Sequence, residues 1–272
     1  MDLEHIKRVG IAAAYKGGSL LRSYFGKISK IDKKGAIDLV TEADIGSEKV
    51  ILETIQRAFP NHAILAEESG LNKGESESSW IVDPLDGTTN FTHQLNLFSI
   101  SIAFALNGDT EVGVVLIPLT GELFTASKGK GAELNGRPIS VSNSPTVSES
   151  LLITGFPYNK REFINPLMIR FAKCLKASQG IRRLGSAAID LCFVACGRFD
   201  GFWEQNLNPW DTAAGELIAR EAGAVVTDFS NKPFTIDKKE ILATNGKIHK
   251  EMVSLLELTH ISHEEFFPVQ GS

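Results

Sequence analysis

Two acidic segments carry the side chains whose types and spacing favour chemistry. Glu67 and Glu68 follow a short apolar run at residues 62–66, and Asp83 and Asp86 follow another at 80–82. Because buried strands that end in acidic residues can bring those residues to one edge of a sheet, we expect these carboxylates to converge. Two ionised carboxylates about 4 Å apart repel by roughly 4 kcal/mol at an effective dielectric constant of about 20, so such a cluster must protonate, separate or hold cations.

Divalent cations that prefer oxygen ligands are the simplest partners for this cluster. The backbone carbonyl of Leu85 lies between the two aspartates in sequence, and ligation by oxygen alone suits Mg²⁺. The sequence near these segments has no set of His and Cys residues with the spacing of a zinc site. The pattern therefore predicts a magnesium site.

An ordinary turn is the alternative interpretation of the second segment. In Asp-Pro-x-Asp-Gly the proline presets φ and the glycine relieves backbone strain. The continuation through Gly87, Thr88 and Thr89 is typical of a helix N-terminus, whose N–H groups and dipole bind an anion such as phosphate. Metal ligands beside a phosphate-binding turn indicate a phosphatase.

A third acidic position, Asp211, lies far downstream. The small residues at 212–215 predict the start of a closely packed helix. Taken alone, Asp211 is best interpreted as the N-cap of that helix.

These segments, together with others, resemble the inositol monophosphatase family of Mg²⁺-dependent, lithium-sensitive phosphatases. The resemblance extends from about residue 5 to residue 255 and is carried by segments 38–41 with Asp44, 67–69, 83–90, 129–132, 185–188 and 210–215. It implies an α/β (α+β) fold, a layered αβαβα sandwich of the inositol monophosphatase and fructose-1,6-bisphosphatase type.

The resemblance also implies a role for individual residues. Two or three Mg²⁺ ions are expected on Glu67, Asp83, the Leu85 carbonyl, Asp86 and Asp211. Substrate is expected to contact Gly87, Thr88, Thr89, Gly185, Ser186, Ala187, Glu204 and Asp211, with Glu204 accepting hydrogen bonds from ring hydroxyls. The catalytic residues are Glu67 and Thr88, which would orient the attacking water, and Asp44, which would support the Thr88 hydroxyl.

The predicted reaction is hydrolysis of myo-inositol monophosphate to inositol and phosphate. Fructose 1,6-bisphosphate, histidinol phosphate or another sugar phosphate is the alternative substrate, and a binding protein without catalysis is a less favoured alternative. Lys33 or Lys34 falls where the family has a loop near the site. Arg182 and Arg183 fit either the substrate phosphate, a neighbouring subunit or an ordinary solvated surface.

Composition limits the partners. The chain has 272 residues, of which 43% are hydrophobic and 22% charged, as in a globular protein. A net charge of −5 provides no basic surface for nucleic acid or an anionic membrane, so we expect neither partner. Three cysteines and an N-terminus without a signal-like apolar stretch predict a cytoplasmic protein, and the family resemblance predicts a homodimer.

The elements that must position the site follow from hydrophobic periodicity. Helices are predicted at 2–25 and 43–59, with Gly17 and Gly18 interrupting the first, and strands at 62–66, 80–82, 97–106, 111–118 and 122–127. Strands near 151–154, 199–204 and 224–228 then alternate with helices near 164–177, 186–196, 211–223 and from about 246. We expect an N-terminal half at 1–145 that carries most metal ligands and a C-terminal half at 146–272 that completes the site.

Overall fold

A computed structural model of the chain describes residues 2–27, 31–33, 39–72, 77–157 and 164–258. Lys34 and Asp38 lie outside the described residues, and of Lys33 only the backbone is described. Within these ranges no helix is both long enough and apolar enough to cross a membrane. All three cysteines are free thiols.

The described elements are seven α-helices, one short 3₁₀ helix and fifteen strands. The helices are α1 (Leu3–Tyr24), α2 (Glu42–Ala58), α3 (Thr88–Thr92), α4 (Ile164–Ala177), α5 (Ala187–Ala195), α6 (Pro209–Glu221) and α7 (His249–Leu256), and the 3₁₀ helix is Val147–Glu149. The strands are β1 (Ile31–Lys33), β2 (Leu39–Thr41), β3 (Ala63–Ala66), β4 (Gly70–Asn72), β5 (Ser78–Asp86), β6 (Ser99–Leu106), β7 (Asp109–Ile117), β8 (Glu122–Ser127), β9 (Ala132–Leu134), β10 (Arg137–Pro138), β11 (Leu151–Thr154), β12 (Gly180–Arg182), β13 (Gly201–Gln205), β14 (Val225–Thr227) and β15 (Glu240–Thr244).

The larger sheet has eight strands in the order β10-β9-β8-β7-β6-β5-β3-β4. Strands β5 to β10 form an antiparallel meander, and only the β3–β5 pair is parallel. The predicted meander is confirmed, and so is the tight turn at Asn135 and Gly136, which have φ angles of 51° and 74°. The parallel pair matters most, because its two carboxyl ends meet at one edge of the sheet.

Alternation of side chains gives this sheet two buried faces. Trp80, Ile102 and Val114 point to the face that packs on α1 and α2, whereas Ile81 and Val115 point to the face that packs on α5 and α6. Because both faces are covered, the strands are nearly continuous apolar runs and do not alternate between apolar and polar residues.

A second sheet completes the sandwich on the far side of α5 and α6. Its five strands run in the order β12-β11-β13-β15-β14. Phe202 and Ile241 point inward to α5 and α6, and Trp203 and Leu242 point outward to α4 and α7. The layers are therefore α1/α2, eight-stranded sheet, α5/α6, five-stranded sheet and α4/α7, which is the predicted αβαβα order.

Helix α1 differs from the sequence prediction at its glycine pair. Gly17 and Gly18 do not interrupt the helix but allow α2 and the sheet to approach it. A Cβ atom on Gly17 would lie 2.8 Å from the Ser47 hydroxyl and 2.9 Å from Ile51 Cδ1. The glycines that weaken the helical pattern are thus required by packing.

Several short strands are absent from the sequence prediction. Strands β1, β2, β4, β9, β10 and β12 are two or three residues long and have no clear apolar alternation, while β15 is a short buried run beside β13. The division of the chain at residues 145/146 stays a prediction. One core cluster includes residues of both halves, for example Ile81 and Phe202.

We expect Gly113→Ala to destabilise the folded protein. Helix α6 crosses β7 so closely that a Cβ atom on Gly113 would lie 2.7 Å from the Ala214 carbonyl oxygen. Because a backbone atom cannot turn aside, overpacking here should cost about 1–3 kcal/mol in thermal unfolding. Gly180→Ala is the matched control, since its nearest contacts are ordinary at 3.4 and 3.8 Å. Equal melting temperatures for the two variants would contradict this account.

Candidate active site

A cavity of about 250 Å³ lies between the two sheets and gathers most of the predicted site residues. Its lining includes Glu67, Asp83, Leu85, Asp86, Gly87, Thr88, Gly185, Ser186, Ala187, Glu204 and Asp211. Of the predicted set, only Asp44 and Thr89 are not in the lining. Thr89 is exposed on α3, and Asp44 lies buried behind Thr88.

A β-bulge turns Asp83 and Asp86 to the same side of β5. In a regular strand two residues three apart point to opposite faces. Here Asp83 pairs with Ser101 and Asp86 with Ser99, so β5 advances by three residues while β6 advances by two. The extra residue reverses the alternation, and both carboxylates face the cavity. Pro84 has no N–H to pair, and its carbonyl oxygen accepts a hydrogen bond from Ser47 Oγ at 2.9 Å.

Glu67 reaches the same edge because β3 and β5 are parallel. The backbone N–H of Glu67 continues the ladder by donating to the Val82 carbonyl oxygen at 3.1 Å. Glu67 is thereby held next to Asp83, the residue that follows Val82. This is the convergence that the two apolar runs predict.

Asp86 joins the large sheet to α5. Its Oδ2 accepts hydrogen bonds from Ser186 Oγ at 2.6 Å and from the Ala188 N–H at 2.8 Å, at the first turn of α5. The carboxylate thus takes up N-terminal donors of a helix, which favours its charged form. Ser186 also lies 3.1 Å from the Ser99 hydroxyl, so one polar chain spans the layers.

Asp44 holds the hydroxyl of Thr88. Thr88 Oγ1 lies 2.9 Å from Asp44 Oδ1 and 3.1 Å from the Leu85 carbonyl oxygen, and it can donate to either. The other oxygen of Asp44, Oδ2, accepts the Thr41 N–H at 2.8 Å in a capping box at the start of α2. The start of α2 therefore orients a residue of the cavity.

Asp211 and Glu204 come from the C-terminal half. Asp211 is not the N-cap of α6; the cap is Asn208, whose N–H donates to Asp211 Oδ2 at 2.7 Å. The helix start is tied to the large sheet by a hydrogen bond from Ser101 Oγ to the Trp210 carbonyl oxygen at 3.1 Å. Glu204 shares the inward face of β13 with Phe202 and therefore faces the cavity.

Asn90, Arg183 and Trp210 are cavity-region residues that the sequence argument did not assign. The Asn90 side chain donates to the carbonyl oxygens of Leu97 and Leu184 at 2.6 and 2.7 Å, so it links α3 to the segment before Gly185. Both Arg182 and Arg183 are exposed, but only Arg183 is in the lining of the cavity. A run of two arginines before a Gly-Ser pair is a signal, but the sequence alone does not decide which arginine borders the cavity.

Burial and mutual repulsion raise the pKa of the acidic groups. Burial, followed by the charges of Glu67, Asp86 and Asp211, raises the pKa of Asp83 well above its usual value. Burial raises the pKa of Asp86 to about 6 against the hydrogen bonds from Ser186 and Ala188, and it raises the pKa of Glu204 to about 8. The pKa of Asp211 is also raised, first by burial and then by Asp86. Carboxyl groups from three segments that are far apart in sequence, β5, β13 and α6, therefore interact.

The donor set fits a hard cation. The described residues that line the cavity include neither His nor Cys, and the acidic groups repel one another without a counter-charge. In the part of the chain that the structure describes, no three His, Cys, Asp or Glu side chains form a group that could hold a metal ion as they stand. The carboxylates face a common cavity, and a cation within it would offset their repulsion.

Comparison with known proteins gives consistent matches over nearly the whole chain. A family model described as "Inositol monophosphatase family" matches residues 2–261. An inositol-1-monophosphatase of Synechocystis sp. is 46% identical over 260 residues, which is 95% of this chain and 91% of the relative. The Nus factor SuhB of Escherichia coli is 41% identical over 249 residues, 90% of this chain and 93% of the relative.

Solved structures share the layered fold. The extragenic suppressor protein suhB from Bartonella henselae superposes with a TM-score of 0.90 at 39% identity, over 94% of this chain and all of that one. The inositol monophosphatase from Anabaena has a TM-score of 0.86 at 43% identity, over 94% of this chain and 96% of that one. The predicted fold class is confirmed.

We expect Asp86→Asn to stabilise the metal-free protein at neutral pH. The pKa of Asp86 is about 6 in the folded state and about 3.8 in the unfolded state. The folded state therefore loses stability as the pH rises through this interval and Asp86 is deprotonated. Above pH 6 the ionised Asp86 carboxylate lowers the free energy of unfolding by about 3 kcal/mol at most. Removing this charge should raise the melting temperature by about 4–8 °C at pH 7.5. Toward pH 4 the gain should vanish.

The measurement is thermal unfolding in chelator across this pH range. Asp237→Asn, at an exposed position away from the cavity, is the control and should change little. An equal destabilisation by Asp86→Asn at every pH would show that hydrogen bonding, and not charge, dominates at this position.

Proposed function

Because this chain belongs to the inositol monophosphatase family, we propose that it hydrolyses the phosphate monoester of a polyol, myo-inositol monophosphate first, to free polyol and phosphate. The observation that carries the proposal is one cavity whose lining brings together Glu67, Asp83, Asp86 and Asp211, the turn at Gly87 and Thr88, and Glu204. Fructose 1,6-bisphosphate, histidinol phosphate and other sugar phosphates are alternative substrates of the same chemistry.

Two groups of ligands would hold Mg²⁺. We assign Asp83, Asp86 and Asp211 to one group, and Glu67, Asp83 and the Leu85 carbonyl to the other, because all of these residues line the cavity. Bound Mg²⁺ would supply charge neutralisation for the phosphate dianion and a lower pKa for the attacking water. Sensitivity to Li⁺ and the number of ions stay predictions from the family resemblance.

The chain's own residues bind and orient. Gly87, with a φ angle of 96°, turns the backbone into α3 at a place where a Cβ atom would lie 3.1 Å from the Leu97 carbonyl oxygen. Glycine is therefore favoured here both by the positive φ angle and by the close packing of the turn against the Leu97 backbone. Thr88, held by Asp44, and Glu67 would position the attacking water. Arg183 adds a positive charge to a cavity that must accept an anion.

The leaving alcohol would lie toward the five-stranded sheet. Gly185, Ser186 and Ala187 border the cavity there, and Glu204 is an acceptor for its hydroxyl groups. A monoester with several hydroxyls would thus be bound at both ends, which fixes the ester bond between the acidic groups.

A second candidate function comes from the relatives named Nus factor SuhB. Under this second candidate the protein would act by binding and without hydrolysis. The expected absence of a nucleic-acid partner stays a prediction, and the net charge of −5 supports it. Homodimer formation and a cytoplasmic location stay predictions as well. The acidic cavity favours hydrolysis as the first candidate.

Phosphate release from a panel of esters tests the proposal. With Mg²⁺, inositol 1-phosphate should be cleaved well above background, and chelation should abolish the activity. Asp211→Asn should lower kcat/KM by about 10²-fold or more, because a charged ligand is lost, while Asp237→Asn should not. Release no faster than background from every ester would overturn the proposal and favour a role without hydrolysis.

The hydroxyl of Thr88 provides a finer test. Thr88→Val keeps the shape but removes the donor that Asp44 accepts, so kcat should fall by about 10²–10⁴-fold if the hydroxyl positions water. Thr88→Ser retains the hydroxyl and should stay within about threefold to tenfold of the parent in the same assay. Similar rates for the valine and serine variants would remove Thr88 from the mechanism.

A further inference from the structure

Gly155 lies beside Glu204 in the wall of the cavity. It follows β11, which pairs in parallel with β13 so that Thr154 stands opposite Trp203. The Thr154 hydroxyl donates to the Trp203 carbonyl oxygen at 2.7 Å. The end of β11 is thereby fixed against the residue that precedes Glu204.

The carboxyl group of Glu204 occupies the space next to the Cα atom of Gly155. A Cβ atom built on Gly155 would overlap Cδ, Oε1 and Oε2 of Glu204. Gly155 is not among the glycines with positive φ, so its backbone conformation suits other residues as well. The glycine is required by the space that Glu204 fills, and not by backbone strain.

Asp190 disfavours another position for this carboxyl group. It lies on α5, is buried, and within the described residues neither of its carboxylate oxygens has a hydrogen-bond partner. The charge of Glu204 contributes to the raised pKa of Asp190, after burial, so the two groups are close enough to repel. A Glu204 side chain that turned toward α5 would meet this repulsion.

The strand that carries Glu204 is also held from its other face. Gln205 accepts a hydrogen bond from Arg170 Nη1 at 2.6 Å, and Arg170 Nε donates to the Leu256 carbonyl oxygen at 2.9 Å. Both side chains are buried. Because β13 cannot easily shift, the side chain of Glu204 must take up any change at Gly155.

We propose that Gly155 is a specificity-determining positioning residue: the notch left by its missing side chain holds the Glu204 carboxyl group where it accepts a hydrogen bond from a hydroxyl of the leaving alcohol. The inference rests on the proposed function and deepens it. Selection of polyol esters then depends on Gly155, which has no side chain that could contact the substrate. An aryl ester has no such hydroxyl and does not use this contact.

Gly155→Ala should lower the ratio of kcat/KM for inositol 1-phosphate to kcat/KM for phenyl phosphate by about tenfold or more. The expected size is that of a lost hydrogen bond to this buried carboxyl group, and the loss should fall chiefly on KM. Gly180→Ala on the neighbouring strand is the matched control and should leave the ratio unchanged.

A double-mutant cycle with Glu204 separates positioning from general damage. In a Glu204→Ala background, Gly155→Ala should change the ratio by less than about twofold, since the group that it displaces is gone. The shorter acid of Gly155→Ala/Glu204→Asp should restore part of the ratio. An equal loss on both esters, or a full additional effect in the Glu204→Ala background, would overturn the inference.

If the parent enzyme cleaves neither ester, the proposed function fails and the inference with it. If the parent is active and Gly155→Ala keeps its ratio, only the inference fails.

Discussion

Electrostatic repulsion among buried carboxylates is the constraint on which this structure depends. Across one cavity the charges of Asp86 and Asp211 raise the pKa of Asp83, and the charge of Asp86 raises the pKa of Asp211, which lies far away in sequence. An isolated carboxylate can turn toward water, but these are fixed by donors: Leu85 N–H to Asp83, Ser186 and Ala188 to Asp86, and Asn208 N–H to Asp211. The fold therefore sustains an unfavourable charge arrangement that a cation would relieve, which is typical of a functional site.

The layers supply the rigidity that this arrangement needs. Helices α5 and α6 are enclosed between two sheets, and backbone N–H groups at their starts donate hydrogen bonds to the cavity carboxylates: Ala188 to Asp86, and Asn208 to Asp211. Small residues allow the helices to lie close to the sheets, as where α6 crosses β7 at Gly113. Such contacts leave little freedom for the site to relax, because neighbouring backbones already touch.

The same fold is found in relatives with different names. An inositol-1-monophosphatase and the Nus factor SuhB each match more than nine-tenths of their own length to this chain. Overall likeness thus identifies the family without deciding among its functions, and the assignment must rest on the chemistry of the cavity. Here the position of Glu204 against Gly155 and the presence of Arg183 in the cavity lining are the features that the proposed function uses.

The sequence by itself determined the chemical groups, the main helices and strands, and the family. Apolar runs that end in Glu67 and Asp83 indicated a shared sheet edge, because local sequence controls where a strand ends. The Asp-Pro-x-Asp-Gly pattern allowed an ordinary turn, where the structure has a β-bulge within β5. Only the tertiary structure decided which distant groups meet: that Asn90 links α3 to the segment before Gly185, that Arg183 and not Arg182 lines the cavity, and that Glu204 fills the space beside Gly155. Those facts depend on how α5, α6 and β13 lie between the layers, and no periodicity along one chain segment encodes a distance to another.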